Sequence, residues 1–118
     1  MRVLVQRSGK ASVTVDNKVV GSIDNGLVLF VGFTDGDGLD EIKYLAKKIV
    51  NLRIFPDSDG VMNKSILDYG GKILSVSQFT LYANCKKGNR PSYINAMNNH
   101  EAVHFYELFN EELRKYIE

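Results

Sequence analysis

Three groups of side chains in this 118-residue sequence have the types and spacing for chemistry. The first is His100-Glu101-Ala102-Val103-His104, an H-E-x-x-H pattern. On a helix, two histidines one turn apart bind zinc and the glutamate activates a water. A third protein ligand is needed, and Glu107, Glu111 and Glu112 lie on the same short stretch, from which most of them converge poorly on one metal. The bland alternative is a helix start with two surface or half-buried histidines and a glutamate suited to the positive end of the helix dipole. The second group is Ser77-Gln78-Phe79-Thr80-Leu81, where hydroxyls, an amide and an aromatic could line a pocket with donors and a stacking face. Its alternative is an ordinary strand with Phe79 in the core. The third is the basic loop carrying Lys86, Lys87 and Arg90, either a phosphate contact or a solvated loop. Cys85, the single cysteine, has no redox partner in the chain.

Elements must hold these groups in place. Val3 and Val5 alternate with Arg2, Leu4 and Gln6, and Val13 and Val15 alternate with Ser12 and Thr14, the period of strands. Ser8-Gly9 could mark a bulge between them. Asp16-Asn17-Lys18 reads as a hairpin turn into residues 19–23, and Asp24-Asn25-Gly26 as a second turn. The apolar run Leu27 to Phe33 predicts a strand buried on both faces. After the break at residues 34–38, Leu39, Ile42, Leu45, Ala46, Ile49 and Val50 recur three or four apart, predicting a helix that ends near Arg53, with Asp37 or Asp40 as its cap. A turn over residues 56–60 and a short strand around Val61-Met62 follow. Lys72 to Tyr82 reads as a second strong strand, and residues 100–118 as a helix with a stripe of Ala102, Phe105, Phe109, Leu113 and Tyr116. The expected fold is a single α+β domain with an antiparallel, barrel-like β-sheet packed with two α-helices.

Composition sets the bounds. With 44% hydrophobic and 25% charged residues the chain is of ordinary globular type, and its length suits one domain. One cysteine excludes an internal disulfide framework and fits a reducing compartment. No apolar run reaches the length of a membrane span, and charge at Arg2 and Arg7 interrupts any secretory segment, so the expected location is cytoplasmic. Fifteen basic against fourteen acidic residues give a net charge of +1, without the basic excess of a non-specific nucleic-acid binder. Any nucleic-acid contact would come from a local patch.

Taken in order, these segments resemble the D-aminoacyl-tRNA deacylases, formerly called D-tyrosyl-tRNA deacylases. The resemblance is carried by residues 1–7 with Gln6-Arg7, by 11–15, and by Gly26-Leu27-Val28 with Val31-Gly32. It continues through residues 45–55 and Met62-Asn63-Lys64-Ser65 to residues 77–83 and the loop 87–92. It implies hydrolysis of the ester joining a D-amino acid to the 3′ end of tRNA, without a cofactor or metal, as a quality-control step of translation. It also implies a homodimer with its active sites at the subunit interface, and neither a membrane nor a DNA partner. Carried over by residue, Ser77, Gln78, Phe79 and Thr80 line the pocket for the aminoacyl-adenosine, and Arg7 buttresses it with Met62 and Asn63 close by. Lys86, Lys87 and Arg90 then become contacts to tRNA phosphates.

The chemistry is compatible with this. An aminoacyl ester is already activated, so positioning and backbone N–H groups at a developing oxyanion could supply much of the acceleration. Thr80 has no adjacent base in the motif and is a weak nucleophile, so it reads as a positioning residue. A non-catalytic binder of the tRNA end is the alternative. The resemblance further implies strands after the last helix with a Gly-Pro-x-Thr motif that excludes L-amino acids. The only prolines here, Pro56 and Pro91, do not follow glycine, and those strands are not expected within residues 1–118.

Overall fold

Alternating apolar residues draw the first 32 residues into four strands: β1 (Arg2–Ser8), β2 (Ala11–Val15), β3 (Lys18–Ile23) and β4 (Gly26–Gly32). The computed structural model describes residues 1–117, so Glu118, the last residue of the expected C-terminal helix, lies outside them. Asp16 and Asn17 take left-handed backbone angles (φ 51° and 64°), which gives β2–β3 a tight two-residue connection; Lys18, expected in the turn, already belongs to β3. Next come α1 (Leu39–Asn51), β5 (Phe55–Pro56), β6 (Met62–Lys64), α2 (Ile66–Tyr69), β7 (Lys72–Ser77), a 3-10 turn (Phe79–Tyr82) and α3 (Asn99–Arg114).

The fold is α+β, with two departures from the expected arrangement. The main sheet has the order β1–β4–β7, and β7 runs parallel to β4 whereas β1 is antiparallel. Parallel neighbours need a long crossover, and α1, β5, β6 and α2 supply it. Among the described residues there are three α-helices, because Ser65 opens a single turn at Ile66. Its hydroxyl accepts the Asp68 N–H (3.3 Å), and the Asp68 carboxylate accepts the Ser65 N–H (3.3 Å). The hairpin β2–β3 and the pair β5–β6 form separate two-stranded sheets.

α1 is not capped by Asp37 or Asp40. Gly38 occupies the cap and donates its N–H to the Glu41 carboxylate at 3.1 Å. Asp37 is engaged elsewhere, accepting the Met1 ammonium at 2.7 Å and the Thr34 N–H at 2.8 Å. α3 is capped by the Asn98 side chain, which accepts the His100 N–H at 2.9 Å. Tyr116 lies past the end of α3 and is exposed, so the stripe stops at Leu113.

The core forms where α1 and α3 cover one face of the sheet. Leu27, Leu29 and Val31 of β4 are fully buried against Ile42, Ala46, Ile49, Val50, Phe109 and Leu113. The opposite face is only partly covered, against the expectation that β4 is buried on both sides. Leu4, Phe30 and Val76 stand in one row across β1, β4 and β7, and Leu4 is 55% exposed. Among the described residues no helix is long and apolar enough to cross a membrane.

Candidate active site

β7 pairs with β4 as far as Val31–Ser77, and the Gln78 N–H still donates to the Val31 carbonyl at 2.7 Å. Beyond that the expected strand does not continue; residues Phe79–Tyr82 coil into a 3-10 turn. Gly32 permits this, because a Cβ there would stand 3.0–3.3 Å from the Gln78 carbonyl, Leu81 and Tyr82. The turn therefore folds down onto the end of β4, presenting the four consecutive candidate residues Ser77–Thr80 at the end of the sheet. The Gln78 amide donates to the Thr80 hydroxyl, orienting both side chains. Phe79 and Thr80 lead the turn, where backbone N–H groups have no partner within the helix.

Arg2 fixes the far side of this turn. Its guanidinium donates to the Leu81 carbonyl at 2.7 Å and lies 4.4 Å over the Tyr82 ring. Burial raises the Tyr82 phenol above its ordinary range, Asp37 adds to the shift and the Arg2 charge opposes it. Tyr82 is thus a neutral, packed foot of the turn at physiological pH.

A cleft of about 80 Å³ adjoins the turn, lined by Ser77 and Phe79 with Phe33, Met97, Asn99 and Val103 among others. A roomier cavity of about 310 Å³ lies further along β7 and α3, around Ser75, Tyr106 and Asn110, and contains none of the four turn residues. The smaller cleft is the better candidate because it adjoins the hydroxyl-amide-aromatic cluster.

The loop after the turn is closed by a reciprocal pair of hydrogen bonds, Asn84 N–H to Ser92 carbonyl (2.7 Å) and Ser92 N–H to Asn84 carbonyl (2.8 Å). Lys86, Lys87 and Arg90 are exposed inside it, as is Cys85. The chain then returns to the cleft, where Met97 N–H donates to the Phe33 carbonyl (2.9 Å) and the Thr34 hydroxyl to the Asn95 carbonyl. This return brings Tyr93 against Phe79, ring centroids 4.9 Å apart and edge to face. Tyr93, Met97, Asn99 and Arg2 were not among the residues singled out in the sequence.

The structure does not gather all the expected residues in one place. Arg7 pairs with Leu27, and Ser77 with Val31, so the two lie four residues apart along β4 and on opposite neighbouring strands. At ~3.3 Å per residue that is about 13 Å along the strands, plus two strand spacings across. At its own end of the sheet, Arg7 donates to the Ile54 carbonyl at 3.0 Å. Met62 and Asn63 belong to this second group: Arg53 donates to the Asn63 carbonyl (3.0 Å) and Asn63 to the Asp57 carboxylate (3.2 Å). Asp57 is held below the usual carboxylate range, chiefly by the Val61 N–H, with the Asp59 N–H and Asn63 adding to it. His100, Glu101 and His104 occupy exposed positions in the first turns of α3. Among the described residues no three His, Cys, Asp or Glu side chains, these included, are grouped so as to hold a metal ion.

The class is that of an α+β domain with a polar turn at one end of its main sheet, a cleft beside that turn and an exposed basic loop following it. Comparison with known proteins gives the particular family. The model of D-Tyr-tRNA(Tyr) deacylase matches residues 4–118, and the chain belongs to that family. It is 56% identical over 115 residues to the D-aminoacyl-tRNA deacylase of Brevibacillus brevis, covering 98% of this chain and 79% of the relative. It is 55% identical, with the same coverage, to the D-aminoacyl-tRNA deacylase of Bacillus cytotoxicus. Among solved structures, the c-Myc DNA Unwinding Element Binding Protein superposes with a TM-score of 0.92 at 40% identity, covering 98% of this chain and 77% of that one. A probable eukaryotic D-amino acid tRNA deacylase superposes with a TM-score of 0.80 at 19% identity over 96% of this chain and 66% of that one, a likeness of fold alone.

Proposed function

We propose that the protein hydrolyses the ester bond of D-aminoacyl-tRNA, releasing free D-amino acid and tRNA in the cytoplasm. The observation that carries this reading is the Ser77–Thr80 turn beside the cleft, in a chain 56% identical to a D-aminoacyl-tRNA deacylase. Water adds to the ester carbonyl, and the intermediate collapses by breaking the bond to the ribose oxygen, which takes up a proton as the amino acid leaves. No histidine lines the cleft among the described residues, so the substrate's neighbouring ribose hydroxyl is the fitting group to relay that proton. The leading N–H groups of the Phe79–Tyr82 turn are suited to the negative charge that develops on the carbonyl oxygen. Thr80, tied to Gln78, positions the ester rather than attacking it. Lys86, Lys87 and Arg90 supply the charge that holds the phosphates of the tRNA end.

The working form on this reading is a homodimer. Two features favour it: the apolar row Leu4–Phe30–Val76, which a second copy would cover, and the distance between Arg7 and Ser77 within one chain. A site shared between subunits would let Arg7, Met62 and Asn63 of one copy serve the turn of the other.

The test is ester loss from D-tyrosyl-tRNA and L-tyrosyl-tRNA, followed for the wild type and for Thr80→Val. Wild-type protein is expected to release D-tyrosine. Thr80→Val is expected to slow that release about tenfold, the worth of one lost hydrogen bond. A fall of roughly 10⁶-fold, the scale of a removed nucleophile, would reverse the role given to Thr80. Tight tRNA binding with no release from either ester would leave a binding protein and sink the enzyme.

A further inference from the structure

Arg2 stands first in β1, two strands away from β7, yet it holds the turn that follows β7. The register explains the reach. Arg2 is paired with Gly32, the last residue of β4, and with no Cβ at Gly32 the Phe79–Tyr82 turn passes over the end of that strand. The turn is thereby fastened at two points. On the β7 side the Gln78 N–H donates to the Val31 carbonyl at 2.7 Å; on the β1 side the Arg2 guanidinium donates to the Leu81 carbonyl, also at 2.7 Å. The Gln78 and Thr80 carbonyls accept the N–H groups of Leu81 and Ala83, at 3.4 and 3.0 Å, whereas among the described residues the Leu81 carbonyl accepts none from the backbone. Arg2 supplies the bond that a four-residue coil cannot make at its own end.

The side chain suits the task. A guanidinium is planar, so it donates to Leu81 while its face lies 4.4 Å over the Tyr82 ring, two contacts that a lysine ammonium does not combine. Tyr82 is buried, so the ring beneath Arg2 is fixed in place. Among the described residues no carboxylate lies within ion-pair distance of Arg2, which leaves the turn as the partner of its charge. We infer that Arg2 is a positioning residue for the hydrolysis: by clamping the Leu81 end of the turn across β4, it holds the Ser77–Thr80 segment in the geometry that the ester needs. This rests on the deacylase reading and adds to it a residue that does not line the cleft. Loss of Arg2 therefore slows turnover without weakening the binding of substrate.

The experiment compares the wild type with Arg2→Lys and Arg2→Met in two measurements. Amide hydrogen exchange reads the turn itself. Arg2→Met is expected to speed exchange at Leu81 and Ala83 roughly tenfold, the lower end of the worth of a hydrogen bond to a charged group, because Arg2 is exposed. Exchange at Leu29, inside β4, stays unchanged. In hydrolysis of D-tyrosyl-tRNA, Arg2→Met lowers kcat by a similar factor with KM within twofold, and Arg2→Lys falls between it and the wild type. A raised KM with kcat unchanged would overturn the inference and make Arg2 a phosphate contact instead. So would a rate for Arg2→Met that returns to the wild-type value as protein concentration rises, which assigns the effect to association of two copies. Unchanged exchange at Leu81 and Ala83 in Arg2→Met would equally overturn it, because the clamp would then hold nothing. A wild type that releases no D-tyrosine, while Arg2→Met still frees the turn, would overturn the enzymatic proposal and leave Arg2 as the clamp of the turn.

Discussion

The two faces of the β1–β4–β7 sheet are made by alternate residues of the same strands and end in different environments. On one face Leu27, Leu29 and Val31 lie fully buried beneath α1 and α3. On the other, Val28, Phe30 and Val76 are half-buried and Leu4 is largely exposed. A sheet covered on one side normally turns polar residues to water on the other. Here the second face carries Leu4, Val28, Phe30, Leu74 and Val76 at its centre, with Arg2, Gln6 and Lys72 towards its ends. The sealed face therefore supplies the stability of the single chain, and the open face retains a driving force for association that the chain does not spend on itself.

The largest effect is expected on the sealed side. Leu29→Ala removes a fully buried side chain from beneath both helices and should cost about 2–5 kcal/mol, read from the denaturant midpoint. A loss below about 1 kcal/mol would mean that the helix-covered face is not the core. The open side should respond in association instead. Leu4→Asp alters an exposed position on an outer strand, so the stability of the monomer should move by no more than about 0.5 kcal/mol. A twofold interface would bury the new carboxylate twice. Sedimentation should then show dissociation at least roughly 30-fold easier than for the wild type, about 2 kcal/mol on the scale of an interface hot spot. An unchanged dimer would place the interface elsewhere, and a monomeric wild type would remove the proposed dimer altogether.

The sealed face was legible in the sequence and the site only in part, for physical reasons. Ile42, Ala46, Ile49 and Val50 announce α1 because helical spacing is local, and the Asp16-Asn17 turn announces β2–β3 because its angles suit few other residues. The direction of β7 was not legible: a strand's own alternation is the same whether its neighbour runs parallel or antiparallel, and the crossover decides it. The break after Ser77 was hidden because Phe79 and Leu81 prolong the strand pattern. What stops the ladder is the turn packing over Gly32, a contact 46 or more residues away in the chain. The same limit concealed Tyr93, which meets Phe79 only because the Asn84–Ser92 bridge closes the loop between them. Arg7, Met62 and Asn63 were named from the family resemblance; the register puts Arg7 at the far end of the sheet, and its bond to the Ile54 carbonyl puts it beside the β5–β6 pair that carries the other two.

Between the two faces lies an intermediate case, where the β2–β3 hairpin covers one end of the open side. Gly21 sits there over Leu74, and a Cβ at Gly21 would stand 3.0 Å from the Leu74 Cδ1. The obstructing atom is the tip of a flexible side chain, so although Leu74 is buried, a small rotation of its end relieves the contact. Replacing glycine inside a strand by alanine also gains about 0.5–1 kcal/mol in chain entropy, which offsets part of the strain. Gly21→Ala should therefore cost less than about 1 kcal/mol in the denaturant midpoint, well under the loss for Leu29→Ala. A cost above about 2 kcal/mol would mean that the hairpin is seated as rigidly as the helices. The open face would then shrink to the row Leu4–Phe30–Val76, and the contrast between the two sides of the sheet would hold only at that row.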